Sequence, residues 1–294
     1  MRKDFEAAIR LLRTGESADA ERALALLQGT LVSFGIKLCG QREDAEDTAQ
    51  DVLMKVLPHL ENLKDPQALS TWLYTAAKNR CWEGRRRATY RNAVALEDLL
   101  PDRAELQALL LTDPGANPEQ QLLRREDQGM VHRAVLALPP MYRLVLVLHD
   151  MEELDTETVA KILGLQPGTV RVRLHRARLL LRQEMSRLLE GRPQPKARQT
   201  KTRQTKAQSR PKDCLEIFGN LSEYLDGRMP AEGCDRMRQH IDGCPSCVAF
   251  IQDLKRAIDR CRALDVCPDR ETQPMLRRLL TQEYLRLKNS SANL

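Results

Sequence analysis

At 294 residues the chain has room for two or three domains, and 47 Lys and Arg against 41 Asp and Glu give it a formal net charge of +6. Aromatic residues make up only 4% of it, and no alternating run of Val, Ile and Thr is long enough to propose a sheet. A β-rich fold is thereby excluded in favour of an all-α one, with helices packed through aliphatic side chains.

The charge is uneven: residues 191–212 hold eight Lys or Arg and no acid, which leaves a net −2 for the remainder. Basicity of that kind belongs to particular surfaces that face a polyanion. No apolar run follows Met1, Arg2, Lys3 and Asp4, and no stretch approaches about 18 apolar residues. The expectation is a cytoplasmic chain with no signal peptide and no membrane contact. In that compartment eight cysteines, six of them after residue 213, are not expected to form structural disulfides.

Residues 4–34 read as two helices broken between Thr14 and Ser17, with Leu11, Leu12, Ala23, Leu24, Leu27, Leu31 and Phe34 as apolar stripes. Cys39 to Gln41 is a turn. A helix then starts within Glu43 to Asp51, whose carboxylates suit the positive end of the helix dipole. Ala45, Ala49, Val52, Leu53, Val56, Leu57 and Leu60 mark its buried side and leave Glu46, Gln50 and Lys55 on a face free for a partner.

Asp65 and Pro66 end that unit. From Leu69 to Arg87, both tryptophans (Trp72 and Trp82) and Tyr74 are interleaved with Lys78, Arg80 and Arg85 to Arg87. Aromatics beside cations suit unstacked bases, because stacking tolerates any sequence while the cations hold phosphates. The blander reading, in which Trp72 and Trp82 fill the core of a small helical domain, stands beside it.

From Ala88 to about Gln128 the periodicity is lost. Pro101, Pro114, Gly115 and Pro118, with Glu97, Asp98, Asp102, Glu105 and Asp113, suggest an acidic connector with one short helix near 103–111. Val131 to Leu138 is a helix stopped by Pro139 and Pro140, and Met141 to Leu148 is the most apolar segment. Thr156 to Leu163 is a short amphipathic helix with Val159, Ala160 and Leu163 inward.

After a turn at Gly164 to Gly168 a longer helix begins. At about 100° per residue Val170, Leu174, Ala177 and Leu181 share its inward face, while Arg171, His175, Arg178 and Arg182 lie opposite with Arg176 beside them. Five arginines and no acid over 169–182 repel one another unless a polyanion faces them. Two helices joined by a Gly-containing turn, the second basic, form the pattern of a helix-turn-helix that enters the DNA major groove. The alternative is a solvated basic helix in an ordinary bundle. Residues 192–212 have no aliphatic side chain larger than Ala and read as a disordered cationic tether.

In this order the pieces resemble a bacterial sigma factor of the extracytoplasmic-function group of the sigma-70 family. The runs that carry the likeness are Glu43 to Leu53, Thr71 to Arg80, and Leu138 through Gly168 to Arg178, and it spans roughly residues 4–190. The resemblance implies a non-enzymatic protein that directs core RNA polymerase to promoters. It assigns polymerase binding to Asp47, Gln50, Asp51 and Leu53, and recognition and melting of the −10 element to Trp72, Tyr74, Asn79 and Arg80. The −35 element would be read by Arg171, Arg173, His175 and Arg176, with Thr169 near the phosphates. Two residues depart from the family pattern: Val172 stands where a small polar residue is frequent, and Glu153 where a turn glycine is usual.

Past the tether, Ile217, Leu221, Tyr224 and Leu225 share a helix face, and another helix leads to His240. His240, Cys244 and Cys247 form a His-x₃-Cys-x₂-Cys run, whose spacing lets thiolates and an imidazole meet one tetrahedral Zn²⁺, with Zn–S near ~2.3 Å. Cys214 completes a closed Cys₃His shell, and Cys234 is the competing fourth ligand. The run resembles the zinc-binding anti-sigma domain family, whose members clasp a sigma factor away from polymerase. Cys261 and Cys267 lie outside it. Residues 271–288, with Met275, Leu276, Leu279, Leu280, Tyr284 and Leu287, form a last amphipathic helix that either completes the zinc module or docks on the sigma part.

The expected architecture is therefore two small helical domains joined by a linker, plus a zinc-stapled helical domain. Its segments are a region 2 bundle (1–92), a linker (93–127), a region 4 helix-turn-helix (128–191), the tether (192–212), the zinc-binding domain (213–262) and a C-terminal helix (263–294). The implied partners are core RNA polymerase, promoter DNA and an intramolecular contact of the C-terminal domain with the sigma domains. A tether of 21 residues spans roughly 25 Å and gives an effective concentration on the order of millimolar. The competing reading is a helix-turn-helix regulator with a purely structural zinc module.

Overall fold

The computed structural model describes residues 2–60, 62–63, 65–82, 99, 120–189, 212–264, 266 and 274–291. Most of the expected linker, nearly all of the tether and Cys267 lie outside the described residues, as do the side chains of Trp82 and Cys214. Among the described residues every regular element is helical. The chain divides into two compact units, one of Met1–Arg91, Val147–Val170 and Asp265–Leu294, the other of Asn92–Leu146 and Arg171–Leu264.

In the first unit α1 (Arg2–Thr14), α2 (Ser17–Cys39), α3 (Arg42–Val56) and α4 (Pro66–Trp82) build a bundle, with a 3₁₀ turn at Leu57–His59. Gly40 adopts the left-handed conformation at φ 78 and returns its N–H to Ile36 O at 2.8 Å, which ends α2 at the expected turn. Ala45, Ala49, Val52, Leu53, Val56, Leu57 and Leu60 are all buried, as their period requires. At the α2–α3 crossing a Cβ on Gly35 would lie 2.7 Å from Ala45 Cβ and 2.9 Å from Ala45 Cα, so only glycine permits that approach.

Helix α2 contains a window of mean hydropathy 1.2, long and apolar enough to cross a membrane by composition alone, which the sequence reading did not anticipate. Of that window 61% is buried inside the protein, as befits a core helix. The helix α5 (Gln120–Ala137) belongs to the second unit and starts inside the stretch read as linker; α6 (Pro140–Leu146) follows it. Arg143 Nη2 donates to the carbonyls of Leu136 and Leu138, capping the end of α5 where the prolines stop it.

The chain then re-enters the first unit with a π-helical turn (Val147–Met151) and α7 (Thr156–Leu163). Asp155 caps α7, accepting from Thr158 N at 2.8 Å, and Gly164 closes it at φ 65. Glu153, the residue that departs from the family glycine, takes φ 56 and is the one positive-φ non-glycine among the described residues. Helix α8 (Pro167–Leu189) starts in the first unit and continues into the second, where α9 (Lys212–Leu225), α10 (Ala231–Gly243) and α11 (Pro245–Arg262) complete the fold.

The last helix, α12 (Pro274–Ser291), resolves the choice left open by its sequence. It packs on α2 and the 3₁₀ turn of the first unit, burying Leu280 and Tyr284, while Leu279 stays 54% exposed. A groove of about 260 Å³ beside it is lined by Ile9, Leu12, Arg13, Leu60, Leu63, Tyr284 and Lys288.

Candidate functional site

On α3, Asp47 and Gln50 are exposed and Asp51 is partly so, and Met54 beside them is 49% exposed. Leu53 is fully buried, so of the four residues assigned to polymerase contact it serves the bundle core and not the surface. On α4, Asn79 and Arg80 are exposed, and Arg80 Nε pairs with Asp51 Oδ2 at 2.6 Å, joining the two expected binding surfaces. Trp72 is half-buried at a cleft of about 740 Å³ that Thr71, Thr75, Asn79 and Lys161 also line.

Tyr74 is not on that surface. Its ring packs against Phe34 at 4.8 Å and edge-on to Phe5 at 5.7 Å, and its hydroxyl donates to Glu152 Oε2 at 2.6 Å. Burial, then the Glu152 charge, raises the phenol well above its ordinary pKa. A tyrosine so held does not stack on a base in this arrangement. Its place on one helix face with Leu73 and Ala77, both buried, was the available sign.

The basic face of α8 lies in the second unit, and its arginines meet acids from the C-terminal helices. Thr169 and Arg171 are exposed, and Arg173 and Arg176 are half-buried. Val172 is 54% exposed. Arg171 Nε lies 3.9 Å from Glu223 Oε1, an exposed pair. His175 is buried, with Nδ1 at 3.0 Å from Ser222 Oγ. Desolvation, followed by the charges of Arg178 and Arg176, pushes its pKa down to about 4, so the ring is neutral at pH 7.

Deeper along the helix, Arg178 is wholly buried. It holds Asp226 in a two-point contact, Nη2 to Oδ1 at 2.7 Å and Nη1 to Oδ2 at 3.0 Å. Arg262 of α11 approaches the same carboxylate at 3.8 Å. Arg182 Nε donates to Asp253 Oδ2 at 2.8 Å, and its guanidinium lies 4.6 Å over the Phe250 ring, which meets Phe218 edge-on at 4.9 Å. The sequence placed Arg178 and Arg182 opposite the apolar face but did not identify their acids, which stand 48 and 71 residues further along the chain.

At the α10–α11 junction His240, Cys244 and Cys247 bring their donor atoms within 4.8 Å of one another, with His240 Nε2 at 3.2 Å from Cys247 Sγ. Tetrahedral zinc with Zn–S near ~2.3 Å separates its ligand atoms by about 3.7 Å, so the donor set and spacing fit that ion. Pro245 at the first position of α11 sets the turn that brings both thiols to one side. Cys234 is not part of the cluster; its Sγ faces Met229 O at 3.5 Å. Cys214 falls in α9, and its side chain is outside the described ones. Cys261 is buried in α11.

Comparison with known proteins places these surfaces in a family context. Residues 23–91 match the family "Sigma-70 region 2", residues 128–181 match "Sigma-70, region 4", and residues 214–247 match "Putative zinc-finger". The RNA polymerase sigma factor YlaC of Bacillus subtilis is 32% identical over 150 residues, which cover 50% of this chain and 81% of that protein. The ECF RNA polymerase sigma factor SigW of the same organism is 28% identical over 149 residues, 51% of this chain and 79% of the relative. The ECF RNA polymerase sigma factor SigE of Mycolicibacterium smegmatis is 32% identical over 151 residues, and this match spans 51% of the present chain but only 55% of the relative.

Proposed function

The chain belongs to the extracytoplasmic-function group of sigma-70 factors, and from that premise we propose that its transcription-initiating activity is held in check by its own C-terminal domain. Sigma factors bind core RNA polymerase and promoter DNA, and here the basic helix α8 is the promoter-reading element. Its Arg171, Arg173, His175 and Arg176, with Thr169 at the helix entrance, read the −35 element. Trp72, Asn79 and Arg80 on α4 serve the −10 element, and Asp47, Gln50 and Asp51 on α3 face polymerase.

The observation that carries the regulatory part is the buried two-point pair of Arg178 with Asp226. A guanidinium on a DNA-reading helix that is fully desolvated by an acid from another domain is unavailable to phosphate. Asp253 on Arg182 and Ser222 on His175 extend the same cover. His240, Cys244 and Cys247, with Cys214 as fourth ligand, hold Zn²⁺, which closes a non-catalytic shell and staples the short module. The tether keeps the module at high local concentration, so a signal must weaken the clasp strongly to release it. This control operates in the cytoplasm, where the thiols stay reduced.

In vitro transcription with core polymerase tests the reading, comparing the full chain with a chain ending at residue 191, each with zinc and with chelator. The shortened chain is expected to be active in both conditions and the full chain only after chelation. A full chain more active than the shortened one would reverse the sign of the proposal.

A further inference from the structure

We propose that residues 147–163 form a latch that parts from α2 and α4 to widen the cleft around Trp72 and Asn79, with the buried Glu152 as its pin. The inference rests on the reading of α4 as a DNA-facing helix. Glu152 has no exposed side-chain surface and Lys37 has 4%. One carboxylate oxygen accepts from Lys37 Nζ of α2 at 3.0 Å and the other from the Tyr74 hydroxyl of α4 at 2.6 Å. A single side chain of the segment thus engages both helices beneath it.

The chemistry of this contact suits a device that opens. An apolar trio of the same size would hold the segment equally well, because desolvating two charges consumes most of their attraction. Burial is the main influence on the Glu152 carboxyl and raises its pKa, with Lys37 opposing. What the charges add is dependence on one another: with Glu152 gone, Lys37 is left buried without its carboxylate. The outer contacts are polar and exchangeable with water. Gln67 Nε2 donates to Thr158 Oγ1 at 2.9 Å, and Lys78 Nζ donates to Ile162 O at 2.8 Å. Between them lies the cleft of about 740 Å³, where Lys161 of the segment stands across from Trp72 and Asn79. The left-handed backbone of Glu153, at φ 56, follows the pin directly and fixes the turn from which it projects.

The test uses the full chain carrying Trp82→Phe, which leaves Trp72 as the single indole. Two readouts are taken: acrylamide quenching of Trp72, and affinity for a fluorescent single-stranded DNA of mixed sequence. Glu152→Leu strands Lys37 and is expected to move the closed-to-open ratio by roughly 10²- to 10³-fold, raising both quenching and affinity. The triple variant Lys37→Met/Tyr74→Phe/Glu152→Leu removes every partner together and is expected to return both readouts to the closed values. Gln67→Ala, on the exposed rim, is expected to raise affinity about fivefold, and it carries the test if Glu152→Leu melts the first unit. Unchanged readouts in the folded single variants, or a triple variant as open as Glu152→Leu, overturn the latch. Quenching that rises without any gain in DNA affinity supports the latch and refutes the reading of α4.

Discussion

Asp226→Asn separates the proposed clasp from a merely structural contact. In the clasp Arg178 is completely buried, and its guanidinium meets both oxygens of Asp226 at 2.7 and 3.0 Å. Ser222 O, at 3.4 Å from its Nη1, is too long to compensate for the carboxylate. Losing one member of such a pair costs about 3–5 kcal/mol, because the remaining charge stays buried without its partner. Arg262, at 3.8 Å from the same carboxylate, is 43% exposed and screened by water, so it adds little to that cost. Opening restores water to Arg178, so the cost falls on the closed state alone. The closed-to-open ratio should drop by at least about a hundredfold. Since apparent affinity scales with the open fraction, the full chain should bind a promoter duplex more tightly by up to that factor, read by fluorescence anisotropy at fixed salt. Asp235→Asn removes a carboxylate whose pair with Arg238 is 3.9 Å long and exposed on both sides, and it serves as the control with no change expected. If Asp226→Asn lowers thermal stability but leaves promoter affinity where it was, the pair is structural and the clasp is refuted.

Three other outcomes follow from the same geometry. His175 is neutral in the closed contact, with a pKa near 4 against 6.5 for the free side chain. The depressed pKa means that the contact is at full strength above pH 6.5 and weakens as pH falls from 6.5 toward 4. At pH 5.5 the closed-to-open ratio is about tenfold lower, and promoter affinity should rise accordingly; a His175→Gln chain showing the same rise would exclude this cause. Cobalt(II) titrated into the metal-free chain should give the absorption of a tetrahedral thiolate site. Cys244→Ser should abolish it, and Cys214→Ser should weaken it where Cys234→Ser does not; the reverse order would make Cys234 the fourth ligand. Gly35→Ala drives a methyl to within 2.7 Å of Ala45 Cβ and 2.9 Å of its Cα, so it should destabilise the first unit by about 1–3 kcal/mol. An unchanged melting temperature would mean that the α2–α3 crossing yields freely.

The parts legible in the sequence were those set by local period. The buried face of α3, the Gly40 turn and the inward stripe of Leu174, Ala177 and Leu181 follow from spacing alone. The run of His240, Cys244 and Cys247 was legible because its members are close in sequence, and the structure brings their donor atoms together. Tertiary partnership was not legible. Lys37 sits within the apolar end of α2 and is buried to 3% exposure, which a lysine tolerates here only because Glu152 arrives from 115 residues away. Tyr74 was assigned to the surface on its type, yet the same acid draws its hydroxyl inward. Leu53 was grouped with its exposed neighbours by motif, although its position on the apolar stripe already assigned it to the core.

The sign proposed for the regulation follows from which helices the metal joins. Asp226 stands just past the end of α9, and Asp253 lies in α11. The proposed zinc ligands lie on the same elements: Cys214 in α9, His240 in α10, and Cys244 and Cys247 where α11 begins. A filled shell therefore fixes the spacing of the two carboxylates that Arg178 and Arg182 engage along one face of α8. Two contacts made by one rigid body form together, and the second is intramolecular once the first is made. Two contacts on uncoupled helices form separately and lose an avidity on the order of 10²- to 10⁴-fold. Withdrawal of the metal, or oxidation of its thiolates, thus weakens the clasp without altering either ion pair. The five arginines over 169–182, three of them parted from Glu223, Asp226 and Asp253, then repel one another until another polyanion faces them, and promoter DNA supplies it. On the proposed reading, metal-bound is accordingly the silent state and metal-free the active one.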